Sequence, residues 1–160
     1  PDRQSLFFRM IRNGGAPIVG DGENMRSMSY IENISQGLIR SALYEKANGQ
    51  IYWIADEKPY SMNQIIDTIE NLLENEFKLK VHHKRMKLPN FISKMAYGID
   101  WSMQKVGLYH QKIHVLSEMN KTIACSIEKA QKELDYKPKF SLREGMKKSI
   151  SWAIKNNQSI

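Results

Sequence analysis

The chain has 160 residues, of which 41% are hydrophobic and 26% are charged, and this composition excludes a collagen-like, mucin-like or wholly disordered protein. No apolar run is long enough to predict a membrane-spanning helix, and the single cysteine excludes an internal disulfide, so we expect a cytoplasmic protein. Residues 1–77 carry 7 basic and 11 acidic side chains, whereas residues 78–160 carry 17 basic and 6 acidic ones. Because the basic residues are mostly lysines at helical spacing, they indicate a solvated helix face, and we expect no nucleic-acid partner.

The first half of the sequence alternates between helical and extended patterns. Helices are predicted over residues 4–13, from a cap at Asn33 to residue 47, and from a Ser61–Gln64 capping box through residue 73. Extended segments are predicted over residues 17–19, 25–31, 50–55 and 79–84. The segment 50–55 is apolar on both alternating faces, which predicts a strand buried on both sides, as in a parallel sheet. This alternation indicates an α/β layer over residues 1–87.

Residues 88–160 are predicted to be mainly helical. A segment rich in Phe, Met, Tyr and Trp runs from residue 89 to 116 and is broken near Gly107. Its large side chains either line a ligand pocket or pack helices together, and we favour packing. A short extended segment is predicted over residues 121–124. Two further helices follow, one capped by Ser126 and one beginning at a Ser141–Glu144 capping box.

The best candidate for ligand binding lies within residues 16–33, where a turn with two glycines precedes Arg26 on an extended segment. An arginine held in this way can bind a phosphate through two parallel hydrogen bonds. The alternative, which the residues alone favour, is a surface salt bridge from Arg26 to Asp21 or Glu32. Tyr30 either hydrogen-bonds a ligand or packs beneath the sheet, and packing is the commoner outcome for such a residue.

The sequence contains no dinucleotide-binding G-x-G-x-x-G, no P-loop and no H-E-x-x-H motif. His110 and His114 are four residues apart on a predicted helix, but no third ligand lies nearby in the sequence, so we expect no metal site. His82 and His83 point to opposite faces of a predicted strand and cannot readily bind one metal ion. Cys125 is predicted to be a small buried group rather than a nucleophile.

Several segments, in this order along the chain, are similar to segments of one enzyme family. They are Pro1–Arg3 with Phe7–Ile11, Val19–Gly22, Arg26–Asn33 as R-x-x-x-Y-[IV]-x-[DN], Gly49–Ile54, Lys129–Pro138 as K-A-x-x-E-L-G-[YW]-x-P, and Phe140–Gly145 with Ile150 and Trp152. Together they are spread over nearly the whole chain. They resemble the C-terminal part of an extended short-chain dehydrogenase/reductase of the NAD-dependent epimerase/dehydratase family.

This resemblance implies an α/β fold that is the C-terminal half of an extended Rossmann-type structure, with the last strands of the sheet and a small, mostly helical substrate lobe. Residues 1–160 would then form the substrate-binding portion of an NAD(P)-dependent oxidoreductase, with an α/β part at 1–87 and a mainly helical part at 88–160. The N-terminal Rossmann domain, which would bind NAD or NADP, would be absent. The catalytic Ser/Thr, Tyr and Lys would lie upstream of Pro1, so we expect this chain alone to be inactive and its parent to be a homodimer.

The resemblance also implies specific binding residues. In family members that act on sugar nucleotides, the arginine at the position of Arg26 binds the substrate diphosphate, and the segment before it lies beside the nucleobase. We therefore expect substrate binding by Arg26, by Ile18 and Val19, and by Tyr30 if its hydroxyl meets a ligand. The expected partner is a small molecule of the nucleoside-diphosphate sugar class.

Two departures from the family pattern bear on the substrate. Asn33 stands where Asp is common, and residues 117–120 stand where a second phosphate-binding arginine is expected. The first alternative is a reductase or dehydrogenase of a less charged substrate, similar to 3β-hydroxysteroid dehydrogenases or dihydroflavonol reductases. The second is a catalytically silent relative that only binds a dinucleotide.

Overall fold

The computed structural model describes residues 2–160, except for the side chains of Asp2 and Lys112. Pro1, at which the first family-like segment begins, lies outside the described residues. The helices are α1 (Asp2–Arg12), α2 (Ile31–Leu43), α3 (Met62–Asn71), α4 (Asn90–Lys105), α5 (Gln111–Glu118), α6 (Glu128–Leu134) and α7 (Leu142–Lys155). The strands are β1 (Pro17–Val19), β2 (Met25–Arg26), β3 (Tyr60–Ser61) and β4 (Met86–Leu88). A 3₁₀ turn, Glu45–Ala47, follows α2, and a π-helical turn, Leu72–Glu76, ends α3.

The strands form two small sheets. β1 pairs with β4 in parallel, with Ile18 opposite Lys87. β2 pairs with β3 in antiparallel orientation, with Arg26 opposite Tyr60, and Ile123 forms a parallel bridge to Arg26 on the other side of β2. The predicted extended segment at 121–124 therefore contacts the strand that carries Arg26.

The main core lies where α1, α3 and α7 pack against one another. It is built from large apolar side chains that are almost completely buried, among them Phe8, Ile66, Ile69, Leu73 and Ile150. A second cluster joins α6 to the end of segment 50–55, where the buried Tyr136 hydroxyl donates to the Ala55 carbonyl at 2.8 Å. α4 and α5 pack against each other as a helical hairpin, and α4 also contacts β1. Within residues 2–160, no helix is both long and apolar enough to cross a membrane.

Structural features that are determined by residues close together in the sequence were predicted correctly. The segment at 17–19 is a strand, and the helix predicted at 4–13 differs from α1 by one or two residues at its ends. Both capping boxes are present: Gln64 and Glu144 each accept from the backbone N–H of the cap serine, whose hydroxyl accepts in return. The long helical segment is broken at Gly107, whose φ of 75° only glycine adopts readily.

Three local predictions were wrong. α2 begins at Ile31 with Tyr30 as its N-cap, so Asn33 does not cap it; Asn33 is buried one turn inside the helix. Residues 79–84 are not a strand, because Lys78 and His83 both take a positive φ, which interrupts an extended chain. Residues 86–88 form the strand instead.

Segment 50–55 is also not a strand buried on both sides. None of its residues is in a strand, and the side chains of Ile51 and Trp53 are 82% and 66% exposed. Its other face does pack, since Ile54 lies directly against Gly37 of α2, where an added Cβ would come within 2.7 Å of Ile54. The segment has no strand beside it in residues 2–160, so its exposed apolar face has nothing to cover it.

Candidate functional site

Arg26 lies on β2, between β3 and the segment that follows α5. Its Nη2 donates to the carbonyls of Glu118 and Met119, at 2.8 and 3.3 Å, at the C-terminal end of α5. The Glu118 carbonyl also accepts from the Lys121 N–H at 3.1 Å, and the Met119 carbonyl from the Asn24 amide at 3.0 Å. The negative end of the helix dipole favours a cation there. Partial burial lowers the pKa of Arg26, and the nearby Glu118 carboxylate opposes this shift. The guanidinium remains charged, because arginine is not deprotonated in proteins at accessible pH.

The expected surface salt bridge of Arg26 is not formed. Glu32 instead accepts from Lys148 at 2.6 Å, and Asp21 accepts from the Glu23 backbone N–H at 3.0 Å. Nε and Nη1 of Arg26 make no hydrogen bond with the described residues. The guanidinium therefore keeps donors for a ligand while its Nη2 holds α5 in place.

A groove of about 530 Å³ runs beside Arg26. Most of its walls are apolar and come from α1, α3, α5 and the segments next to β2: Phe7, Met28, Met62, Ile65, Val115, Met119 and Ile123. Its polar side chains are those of Arg26, Ser27, His114 and Glu118. This combination suits a ligand with an apolar body and a polar or anionic group.

His114 has a partner that the sequence analysis did not identify. Its Nδ1 lies 2.8 Å from Oδ2 of Asp100 on α4, and Gln104 donates to the same oxygen at 2.9 Å. The hydrogen bond from His114 holds the pKa of Asp100 below its ordinary value, although burial acts in the opposite direction. Asp100 could have been noticed as a lone acidic residue in a helix rich in aromatic side chains and methionines. Among residues 2–160 no cluster of three or more metal-ligand side chains is present.

Tyr30 packs against neighbouring groups. Its ring lies 5.2 Å from that of Phe140 and directly against Gly145, where a Cβ would approach Tyr30 to 3.0 Å. Tyr30 also lines a cavity of about 280 Å³ that includes the buried Asp56. Substrate binding by Tyr30 remains a prediction; this cavity adjoins the Arg26 groove, because Met28 lines both.

Ile18 and Val19 are almost fully buried, and Ile18 belongs to the main core. Their side chains are therefore occupied by packing, and neither lines the groove beside Arg26. Their predicted place beside a nucleobase would involve backbone contacts, and it too remains a prediction.

The amide of Asn33 is fully used. Nδ2 donates to Asp56 Oδ1 and to the Phe140 carbonyl, each at 2.8 Å. Oδ1 accepts from the backbone N–H groups of Lys139 and Phe140, at 2.9 and 3.1 Å. An aspartate at position 33 has no N–H to donate to these two acceptors. The amide of Asn33, which departs from the family pattern, therefore provides the donor that the Asp56 carboxylate needs. Burial raises the pKa of Asp56, and the hydrogen bonds from Asn33 and Tyr30 oppose that shift.

Cys125 is a free, half-buried thiol. Its backbone N–H donates to the Ser27 hydroxyl at 3.0 Å, and its Sγ lies 3.4 Å from the same oxygen. This contact fixes the segment after α5 against the residue that follows Arg26.

The chain is similar to proteins about two to four times its length. No protein-family model matches it. It is 50% identical over 159 residues to the uncharacterized protein y4nL of Sinorhizobium fredii, covering 99% of this chain and 45% of that protein. It is 27% identical to the UDP-glucuronate 4-epimerase of Thermodesulfobacterium geofontis, covering 89% of this chain and 34% of the relative. It is 26% identical to 3beta-hydroxysteroid-dehydrogenase/decarboxylase isoform 1 of Arabidopsis thaliana, covering 83% and 32%. The chain thus spans less than half the length of these relatives.

Solved structures show the same fold. The chain superimposes on an epimerase from Methanothermobacter thermautotrophicus with a TM-score of 0.64 and 21% identity, covering 96% of this chain and 36% of that one. It superimposes on the UDP-glucuronic acid 4-epimerase of Bacillus cereus in complex with NAD with a TM-score of 0.61 and 17% identity, covering 96% and 39%. The predicted resemblance and fold class are confirmed: the chain has the fold of the C-terminal part of an extended short-chain dehydrogenase/reductase, of the NAD-dependent epimerase/dehydratase type.

Proposed function

We propose that this chain is the substrate-binding portion of a longer, cytoplasmic, NAD(P)-dependent oxidoreductase of the epimerase/dehydratase type, and that its substrate is a nucleoside-diphosphate sugar. The observation that carries the proposal is Arg26, whose Nη2 is anchored on α5 while Nε and Nη1 face no partner among the described residues. Arginine in this arrangement binds a phosphate through two donors. The epimerase and dehydratase relatives support the class of enzyme.

The cofactor-binding half of the enzyme would cover an apolar surface on α2 and segment 50–55. We define this surface by four exposed side chains: Leu38 and Leu43 on α2, and Ile51 and Trp53 on the neighbouring segment. Ile51 and Trp53 lie two residues apart, on one exposed face of the extended segment, and an exposed apolar face of this kind marks an interaction site. In this proposal, residues 1–160 supply substrate contacts, and the upstream half supplies the NAD or NADP site and the catalytic groups; the enzyme assembles as a homodimer.

A second candidate is an oxidoreductase of a less charged substrate. It is supported by the apolar walls of the groove and by the absence of arginine among residues 117–120, where the resemblance led us to expect one. The similarity to an Arabidopsis 3beta-hydroxysteroid-dehydrogenase/decarboxylase points in the same direction.

Calorimetric titration with UDP-glucose and NADH separates the two candidates. The sample is a fusion of this chain to the first half of the Sinorhizobium relative, compared with the 160-residue chain alone. We expect the fusion to bind both ligands and Arg26→Ala to weaken only UDP-glucose, by about 10- to 100-fold, since charge-assisted hydrogen bonds are lost. Arg143→Ala is the matched control, because Arg143 pairs with Asn71 and Glu76 far from the groove.

The outcomes of this titration are distinct. Binding of NADH without UDP-glucose would reject the sugar-nucleotide substrate and leave the less charged one. Equal affinity of the Arg26→Ala fusion and the unmodified fusion for UDP-glucose would show that Arg26 does not bind the substrate and that its role is only to hold α5 in place.

A further inference from the structure

Asp100 and His114 form a pair that packing alone does not account for. The Asp100 side chain is 6% exposed, and its Oδ1 has no hydrogen-bond partner among the described residues. A buried carboxylate oxygen without a partner costs stability, and replacing such a pair with apolar groups is often neutral or favourable. The hairpin of α4 and α5 therefore contains a buried carboxylate that lowers its stability. This carboxylate, that of Asp100, orients the partly exposed imidazole of His114.

The pair fixes the chemical state of the exposed side of that imidazole. Because an ionised Asp100 accepts only, Nδ1 of His114 carries a proton, and Nε2 is left as an acceptor in the neutral ring or a donor in the charged ring. Nε2 makes no hydrogen bond with any described residue, and the His114 side chain is 40% exposed. His114 lines the same groove as Arg26.

We propose that His114, oriented by Asp100, and the free donors of Arg26 together recognise an anionic oxygen group on a ligand whose apolar body occupies the groove. The inference rests on the proposal that this groove is the substrate site, and it adds His114 to Arg26 as a residue that contacts the anionic group of the substrate. The anionic group can be a phosphate or a carboxylate, since both accept from the same donors. The imidazolium form of His114 donates from Nε2 and adds a second cationic donor beside Arg26.

Other charged groups surround the imidazole and have to be considered. They are Asp100 on α4, Tyr109 before α5, Glu118 on α5 with its partner Lys121, and Arg26 on β2. Glu118 is paired with Lys121 at 2.7 Å, which partly neutralises the one acidic side chain that lines the groove. His110 is exposed and does not line the groove, so it provides a matched control.

The test uses octanesulfonate, an amphiphile that stays ionised throughout the titration, and octanol as its neutral counterpart, with the 160-residue chain. We expect calorimetry to show octanesulfonate binding that His114→Gln weakens about tenfold, because a charge-assisted hydrogen bond is lost. His110→Gln should leave the affinity unchanged, and octanol should bind the unmodified chain and His114→Gln equally. Asp100→Asn should also weaken octanesulfonate binding, although Asp100 does not contact the ligand; if that variant is unfolded by circular dichroism, His114→Gln decides alone.

Two results would overturn the inference: no octanesulfonate binding, or the same affinity for octanesulfonate in His114→Gln as in the unmodified chain. Its failure differs from that of the proposed function, which depends on UDP-glucose and Arg26 in the fusion protein. If His114→Gln also weakens UDP-glucose, the anionic group is the diphosphate. If it weakens octanesulfonate alone, the anionic group is not the diphosphate, and the sugar-nucleotide proposal is decided separately by UDP-glucose and Arg26→Ala.

Discussion

At the scale of single residues, Asn33 connects three parts of the chain that are far apart in sequence. It joins α2 to Asp56 and to residues 139 and 140 before α7. Replacing it with the aspartate common in the family places a second carboxylate beside Asp56 and removes both donors. We expect Asn33→Asp to lower the free energy of unfolding by about 2–4 kcal/mol near neutral pH, measured by urea denaturation.

The pH dependence of this loss has a definite sign. Burial already raises the pKa of Asp56, and a neighbouring carboxylate raises it further, so the folded state holds protons more tightly than the unfolded state. A group whose pKa is raised in the folded state stabilises the protein fully below its pKa in the unfolded state. This stabilisation is lost as the pH rises through its pKa in the folded state. The deficit of Asn33→Asp should therefore shrink on acidification. Asn71→Asp is the control, because Asn71 only accepts, from Arg143 at 2.7 Å, and a carboxylate can do the same. If the decrease in unfolding free energy does not depend on pH, it results from altered packing and not from the added charge.

At the scale of elements, the start of α3 positions part of the groove. Ser61 ends β3, which pairs with the strand of Arg26, and its hydroxyl accepts from the Gln64 N–H at 3.1 Å. The same helix provides Met62 and Ile65 to the groove wall. Removing the cap by Ser61→Ala should cost about 1 kcal/mol of unfolding free energy in a urea titration followed by circular dichroism. Ser102→Ala is the control, because it removes the same hydroxyl group from a serine that caps no helix. The Ser102 hydroxyl donates only to the Gly98 carbonyl within α4, so we expect no comparable loss of unfolding free energy. Equal effects of the two changes would contradict a capping role.

The same contrast explains which elements could be predicted from sequence. Both capping boxes involve residues three apart, and their residue types determine the contact. Asn33 has the residue type of a cap, but its partners lie 23 to 107 residues away, and those contacts bury it inside α2. Arg26 was identified from a motif, whereas its anchor on the end of α5 comes from more than 90 residues later. The Asp100–His114 pair was missed because it joins two helices whose packing no local pattern encodes.

At the scale of the whole molecule, the apolar surface of Leu38, Leu43, Ile51 and Trp53 determines how the isolated chain behaves. Segment 50–55 was predicted as a buried strand because its composition requires cover on both faces, and residues 2–160 cover only one. The mistaken strand and the exposed surface therefore have one cause: no strand lies beside segment 50–55 among residues 2–160. The free energy of hiding such a surface from water is available to any apolar partner, including a second copy of the chain.

We therefore expect the isolated chain to associate as its concentration rises, with a weight-average mass in sedimentation equilibrium above that of the monomer. Leu43→Glu combined with Trp53→Lys should return it to a monomer, since charges on this surface would have to be desolvated on association. The same double change should prevent complementation by the first half of the Sinorhizobium relative when the two are expressed separately. Val106→Glu is the control, because Val106 is as exposed but lies at the end of α4, away from this surface. A sharp thermal transition of a monomer, unchanged over a hundredfold range of concentration, would show that the surface is tolerated in water and would remove the main physical argument for a covering domain.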